Sequence, residues 1–292
     1  MANTVIYTTD YETTLQKRLA HPQTWKEVCD VVYTDTRTVT TGYMSTVPSV
    51  QTVTRGTVFN AQDFALTAEN LTISTGRDIP IFVDFADQAQ TGYNTQMEIA
   101  ETQGDLLNEF IEANVLAQHA SWTNIGDSAG AITSGVTGLI TVSASNVDDI
   151  IRGVKRIIRV ANGQSRMRSK GVFIIWRAAD FELLEAFVQA NGFAMADIAL
   201  KEGTIEGFRY MGVDHYWSND HTANHLFAGV KKTQRTGVLR SLYGKMMTQD
   251  FPAGASGGIL SGTLFYSRVD IGHLTPTNWQ TTVYDINVAN VA

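Results

Sequence analysis

Residues 95–121 read TQMEIAETQGDLLNEFIEANVLAQHAS, and they decide the fold. The opening Thr95-Gln96-Met97-Glu98 has the capping-box pattern, in which hydroxyl and carboxylate each take a free backbone N–H of the first turn. Ile99, Leu106, Phe110 and Ala117 then recur at helical spacing, flanked by Leu107 and Ile111. Glu98, Glu101, Asp105, Glu109 and Glu112 recur on the opposite side. No proline interrupts the run, and only Gly104 weakens it. At 1.5 Å per residue such a helix is roughly 40 Å long. No second helix of similar length lies nearby to make a bundle. The expectation is therefore a strut that spans a subunit.

Composition bounds what surrounds this strut. The chain has 292 residues, enough for one large domain or two, and a hydrophobic fraction of 43% supports a real core. A formal charge of −7 argues against a protein whose main task is gripping nucleic acid. The N-terminus lacks a basic region followed by an apolar run, so no signal peptide is expected. No apolar stretch approaches the ~20 residues that span a bilayer, and no membrane partner is expected. The lone Cys29 rules out an internal disulfide and a cysteine-based zinc site. A soluble protein made in a reducing cytoplasm is the expectation.

Residues Thr9 to Leu19 read as a short helix capped by Thr9-x-x-Glu12 and ended by His21-Pro22. Thr34 to Ile81 is rich in threonine and valine, with alternation such as Val50-Gln51-Thr52-Val53-Thr54. Arg55-Gly56 suits its tip or bend, and Pro80 demotes the run Ile79–Val83 to a sheet edge. This stretch has too few large apolar residues to bury a core alone. It reads as a two-stranded arm lying on another body, best supplied by a second copy of the chain. Gly126 to Gly138 reads as a flexible connection. Ser145-Asn146-Val147-Asp148 caps a second helix that ends near Asn162-Gly163. Val172–Trp176 is an apolar run of strand length, buried on both faces, and a third helix runs from Asp180 to Ala190. These form a compact α/β unit, to which Leu226–Val230 adds a strand. Leu260–Ile271 and Thr281–Val288 read as antiparallel terminal strands.

This order of elements resembles the HK97-fold major capsid proteins of tailed bacteriophages. The most specific local match is Leu200-Lys201-Glu202-Gly203-Thr204-Ile205-Glu206-Gly207-Phe208, continued by Met211-Gly212-Val213-Asp214. It is similar to a glycine–aliphatic–x–glycine–aromatic turn in that family, and Gly203 and Gly207 suit tight reversals. The resemblance implies an α+β fold with an N-terminal arm (1–33), an extended β E-loop (34–90), a spine helix leading into the P-domain (91–140), an α/β A-domain (141–235) and terminal P-domain strands (236–292). It implies a virion shell of pentamers and hexamers around double-stranded DNA, assembled in the host cytoplasm, with no enzymatic activity and no cofactor. The implied partners are further copies of the chain, the packaged DNA, and scaffolding, portal and decoration proteins. An encapsulin-like compartment is the alternative within the fold, and a serine- or metal-dependent hydrolase the alternative outside it.

Two departures from the founding pattern matter. That phage joins an E-loop lysine to a neighbour's asparagine, whereas here no lysine occurs between Lys26 and Lys155. Lacking the nucleophile, the shell is expected to hold by non-covalent contacts. The short segment before the β arm leaves no room for a fused scaffolding domain, so a separate scaffold or self-assembly is expected to set the geometry.

Several residues could carry chemistry or contacts. Gly126-Asp127-Ser128-Ala129-Gly130 and Gly254-Ala255-Ser256-Gly257-Gly258 match the nucleophile-elbow pattern, but neither sits between a buried strand and a helix as that turn requires. His221 and His225 have metal-ligand spacing, yet their loop-like flanks lack a rigid helix, and no metal site is expected. Arg152, Lys155, Arg156, Arg159, Arg166, Arg168 and Lys170 form the one basic concentration, a candidate DNA-facing patch. Arg37, Arg55 and Arg77, the arm's cations, are candidate partners for Glu98, Glu101, Asp105, Glu109 and Glu112 across a subunit boundary.

Overall fold

The computed structural model describes residues 11, 13–18, 23–45, 50–56, 58, 61–84, 95–128, 130–161, 164–190, 207–219, 224–239, 244–253 and 258–289. A short helix α1 (Thr24–Val28) leads into β1 (Asp30–Thr34). The ribbon strands β2 (Thr38–Met44) and β3 (Leu66–Thr72) follow, then β4 (Thr75–Asp84), the long helix α2 (Thr95–Leu116) and a 3₁₀ turn (Ala117–Ser121). Next come β5 (Thr123–Ser128), β6 (Ala131–Ser134), α3 (Val147–Val160), α4 (Gln164–Lys170), β7 (Val172–Trp176) and α5 (Ala178–Ala190). The remaining strands are β8 (Gly207–Tyr210), β9 (Val213–Trp217), β10 (His225–Val230), β11 (Arg235–Leu239), β12 (Gly244–Ala253), β13 (Gly258–Leu274) and β14 (Val283–Asn287). Residues 11 and 13–18 are helical, as expected for the first helix. His21-Pro22, Asn162-Gly163, Asn191-Gly192, Gly203 and His221 lie outside the described residues, as do the side chain of Thr95 and most of Gly254–Gly258.

Two sheets share the apolar material. The seven-stranded sheet has the order β6-β5-β14-β10-β7-β9-β8, and the other is built on β1-β11-β13-β12 with β4 on the opposite side of β13. Strand β7 shows why its sequence is apolar throughout. Val172, Ile174 and Trp176 pack against α3 and α5, in one core with Ile151, Val154, Leu184 and Ile286. Phe173 and Ile175 point the other way, into a second core with Leu107, Ile111 and Val115 of the long helix and Phe265 and Ile271 of β13. A strand that serves two cores has no position left for a polar residue. Pro80 lies on edge strand β4, opposite Tyr266, where its missing N–H interrupts no inner ladder.

The long helix is present, but its buried stripe lies one position away from the one expected. Ala100, Leu107, Ile111 and Val115 are buried, whereas Leu106 is 44% exposed. Polar side chains obscured the phase. Gln103 and Asn108 are buried, and Gln103 Nε2 donates to the carbonyls of Ile79 (2.8 Å) and Phe265 (3.2 Å). Gly104 has a reason of its own: a Cβ there would lie 2.6 Å from Arg18 Cβ, so glycine lets the N-terminal helix approach.

Two further expectations are corrected. Gly126–Gly138 is not a flexible connection. Strands β5 and β6 form a hairpin there, and a Cβ at Gly126 would sit 2.4 Å from the Gly138 carbonyl, which holds the returning chain close. The terminal strands also divide: β13 belongs to the five-stranded sheet, while β14 runs between β5 and β10 in the other. Between β8 and β9, Met211 (φ 52°) and Gly212 (φ 74°) form a two-residue turn with positive φ at both positions, the geometry that matches strand twist.

His215 is fully buried on β9, with Trp176 Nε1 donating to its Nδ1 at 2.9 Å. Burial pushes its pKa down to about 4 from 6.5, outweighing the opposing Tyr210 carbonyl and Asp214. Between those values the unfolded chain binds a proton that the folded chain refuses. Stability therefore falls as pH falls through that window, by about 1.4 kcal/mol per pH unit from this group. Urea unfolding at pH 7 and pH 5 should show a smaller loss in His215→Gln, which keeps an acceptor for Trp176, than in the parent. Equal losses would contradict the assignment.

Candidate functional site

The arm is anchored along its lower half, where Arg235 Nη1 donates to Thr41 Oγ1 at 2.7 Å and Thr277 N–H donates to Glu69 at 3.0 Å, and it is bare toward its tip. Strands β2 and β3 pair antiparallel from Thr38↔Thr72 to Met44↔Leu66, and Ile73 N–H donates to the Arg37 carbonyl at 2.8 Å to close the base. Leu71 and Ile73 are buried on a pair of cross-strand glycines, Gly237 and Gly272. A Cβ at Gly272 would lie 2.1 Å from the Thr72 carbonyl oxygen, and one at Gly237 would lie 3.0 Å from Leu71 Cδ2. Toward the tip the large apolar side chains face solvent. Val50, Val53, Val58, Phe64 and Leu66 are 102%, 84%, 91%, 59% and 70% exposed, and Met44 is 43% exposed. These make up six of the twelve large exposed hydrophobic side chains among the described residues. Scattered single apolar residues are ordinary on a surface, whereas this concentration on one projection is a candidate binding surface.

The charged candidates sort themselves by position. Arg37 and Arg55 are exposed, with Arg55 at the turn where Gly56 has φ 85°. Arg77 is also exposed but stands on β4, beyond the ribbon, with its guanidinium 5.7 Å from the Phe110 ring of the chain's own long helix. Glu98, Asp105 and Glu109 face outward. Glu101 pairs with Arg18 at 3.2 Å, a partner that the sequence reading did not identify. Glu112 is buried, so it does not belong to an outward acidic stripe.

The basic residues form two groups. On α3, Arg152 pairs with Asp148 and Asp149, Lys155 donates to the Met211 carbonyl, and Arg156 donates to the Ile132 carbonyl at 2.5 Å. Burial, then the nearby Arg159, lowers the Lys155 pKa. Arg166 stacks over Trp279 at 4.2 Å and lines a cavity of about 580 Å³ with Lys170, Lys232 and Arg235. Arg159, Arg168 and Lys170 are exposed and have no hydrogen-bond or ion-pair partner among the described residues.

The other candidates resolve as follows. Ser128 ends β5 and is followed by β6, with no helix after it, so the strand–turn–helix of a nucleophile elbow is missing there. His225 stands on β10 and not in a loop. The fold brings it together with His119 and Asp285, both distant in sequence, and the ligand atoms of the three lie within 4.8 Å of one another. Cys29 is fully buried, and burial pushes its thiol up to about 12. A thiol reagent should therefore leave the native chain unmodified and label one site after denaturation. Rapid native labelling would contradict that placement. No helix among the described residues is long and apolar enough to cross a membrane.

No family model and no curated protein matches the sequence. Solved structures do match. The capsid of an empty GTA particle aligns over 93% of this chain and 96% of its own, with TM-score 0.61 and 13% identity. A structure from Mycobacterium phage Che8 aligns over 86% of this chain and 85% of its own, with TM-score 0.59 and 15% identity. A virus-like particle from Pyrococcus furiosus aligns over 96% of this chain and 99% of its own, with TM-score 0.58 and 11% identity. The chain has the α+β fold of HK97-type capsid proteins.

Proposed function

We propose that this chain is the major head protein of a tailed bacteriophage, assembling into pentamers and hexamers of an icosahedral shell around double-stranded DNA. The α/β unit forms the capsomers, and the arm, long helix and five-stranded sheet join them. One observation carries the reading: on a fold shared nearly end to end with capsid structures, the arm presents valines, a phenylalanine and a leucine to solvent. A chain that leaves such a surface bare alone is completed by a neighbour, and a repeated isologous or heterologous contact closes into a shell. The arm contains no lysine, which supports assembly by non-covalent burial. Arg159, Arg168 and Lys170 support sequence-independent contact with packaged DNA, through charge alone.

An encapsulin-like compartment, a shell of related fold, is the second reading, since a virus-like particle chain from Pyrococcus furiosus aligns over 99% of its length as well as the phage capsids do over theirs. Gradient sedimentation of nuclease-treated lysate tests both. The first reading expects a fast-sedimenting particle that, in infected cells, protects DNA. Particles that protect protein cargo and no nucleic acid would favour the second. A chain that stays at the top of the gradient in infected cells would contradict both.

A further inference from the structure

We propose that His119, His225 and Asp285 form a binding site for a zinc-like divalent transition-metal ion. The ion would clamp the end of the long helix to the seven-stranded sheet. His119 lies in the 3₁₀ turn after the long helix, His225 begins β10, and Asp285 lies in the middle of β14. Three elements far apart in sequence thus meet at one point.

The geometry converges on the carboxylate. Asp285 is only 2% exposed, and each of its oxygens faces one imidazole nitrogen. Oδ1 is 2.9 Å from His225 Nδ1, and Oδ2 is 3.3 Å from His119 Nδ1. The two rings stack with centroids 4.3 Å apart and planes tilted by 31°, and each Nδ1 lies against its own oxygen of the carboxylate. In a tetrahedral site with bonds of 2.0–2.1 Å, neighbouring ligand atoms are about 3.3 Å apart. The two nitrogen–oxygen separations, one to each carboxylate oxygen, lie near that edge, and with all three ligand atoms within 4.8 Å of one another an ion would draw the rings and carboxylate together.

The surroundings suit such an ion. Val283, two residues before Asp285 and on the same strand face, belongs to the long-helix core, and Phe227 packs 5.8 Å from the His119 ring. A buried carboxylate is costly unless it is paired, and a dication would compensate it more fully than hydrogen bonds to the two rings. Two imidazoles with one carboxylate select zinc-like ions over calcium or magnesium, which take oxygen ligands. The imidazole side chains remain 17% and 24% exposed, leaving an open side for approach and for water as a fourth ligand.

Equilibrium dialysis and calorimetry of the full-length chain with Zn²⁺, and visible absorption with Co²⁺, test the site. The expected result is one saturable ion per chain, the intense Co²⁺ bands of four-coordination, and a raised thermal midpoint. His225→Gln and His119→Gln, partly exposed positions that leave Asp285 in place, should each weaken binding at least tenfold with unchanged circular dichroism. Substoichiometric uptake by the parent, or parent-like affinity in both variants, would overturn the proposal. Neither result depends on whether the chain forms shells.

Discussion

Replacing residues 46–64 with an Asn-Gly turn is expected to abolish shells while leaving a folded, soluble chain. The cut is placed by the ribbon's own register. Met44 pairs with Leu66, and Ser45 N–H donates to the Ala65 carbonyl at 2.8 Å, so a two-residue hairpin turn can close the strands there. The change removes Val50, Val53, Val58 and Phe64, whose exposures of 102%, 84%, 91% and 59% show that they support nothing within the subunit. Burying each on a neighbour would contribute on the order of 1.5–3 kcal/mol before the costs of association. Losing four such contacts from every copy exceeds what a shell of individually weak contacts tolerates. Electron microscopy and sedimentation should show capsomers or monomers only, with circular dichroism like that of the parent. Normal shells from this variant would show that the arm tip plays no part in assembly. A wider deletion of residues 36–84 would be a poor test, because it also removes β4 from its pairing with β13.

The second large effect is expected at Gly272. Valine there places a Cβ 2.1 Å from the Thr72 carbonyl oxygen and 2.8 Å from its carbon, and neither backbone atom can swing away as a side-chain tip can. The arm root must lift from the sheet, and the whole ribbon is redirected. Overpacking of this kind costs about 1–3 kcal/mol, which a chain with two separate cores survives. Assembly, which needs the arm to reach a fixed point on a neighbour, does not survive it. Gly237→Ala meets the flexible tip of Leu71 at 3.0 Å and should be milder on both counts. The expected order in particle yield is parent, then Gly237→Ala, then Gly272→Val with none. Parent-like particles from Gly272→Val would contradict the root as the feature that aims the arm.

What the sequence revealed follows from how each element is buried. Val172–Trp176 was legible because both of its faces are covered, and the arm because threonine–valine alternation with few large apolar residues cannot bury a core alone. The long helix was legible in extent, but its phase was hidden by Gln103, Asn108 and Glu112, polar residues that the fold buries. Helix α4, with the sequence QSRMRSK, has almost no apolar periodicity to detect. The placement of β14 beside β5 and β10 is a tertiary choice, since its alternation fits either sheet. The acidic and basic sets were legible as sets. Which members are already engaged, such as Glu101 with Arg18 or Arg166 on Trp279, depends on chain segments far away. The same holds for the histidines: spacing pointed to His221 with His225, whereas the fold joins His225 to residues 119 and 285.

Cryo-electron microscopy of sedimented particles shows directly whether the arm is buried on a neighbour. The expected result is a closed shell of pentamers and hexamers. In it each ribbon of residues 38–72 crosses onto a neighbouring subunit, and Val50, Val53, Val58 and Phe64 are buried at the contact. A shell in which those side chains still face solvent, or a chain that forms no closed particle in infected cells, would contradict it.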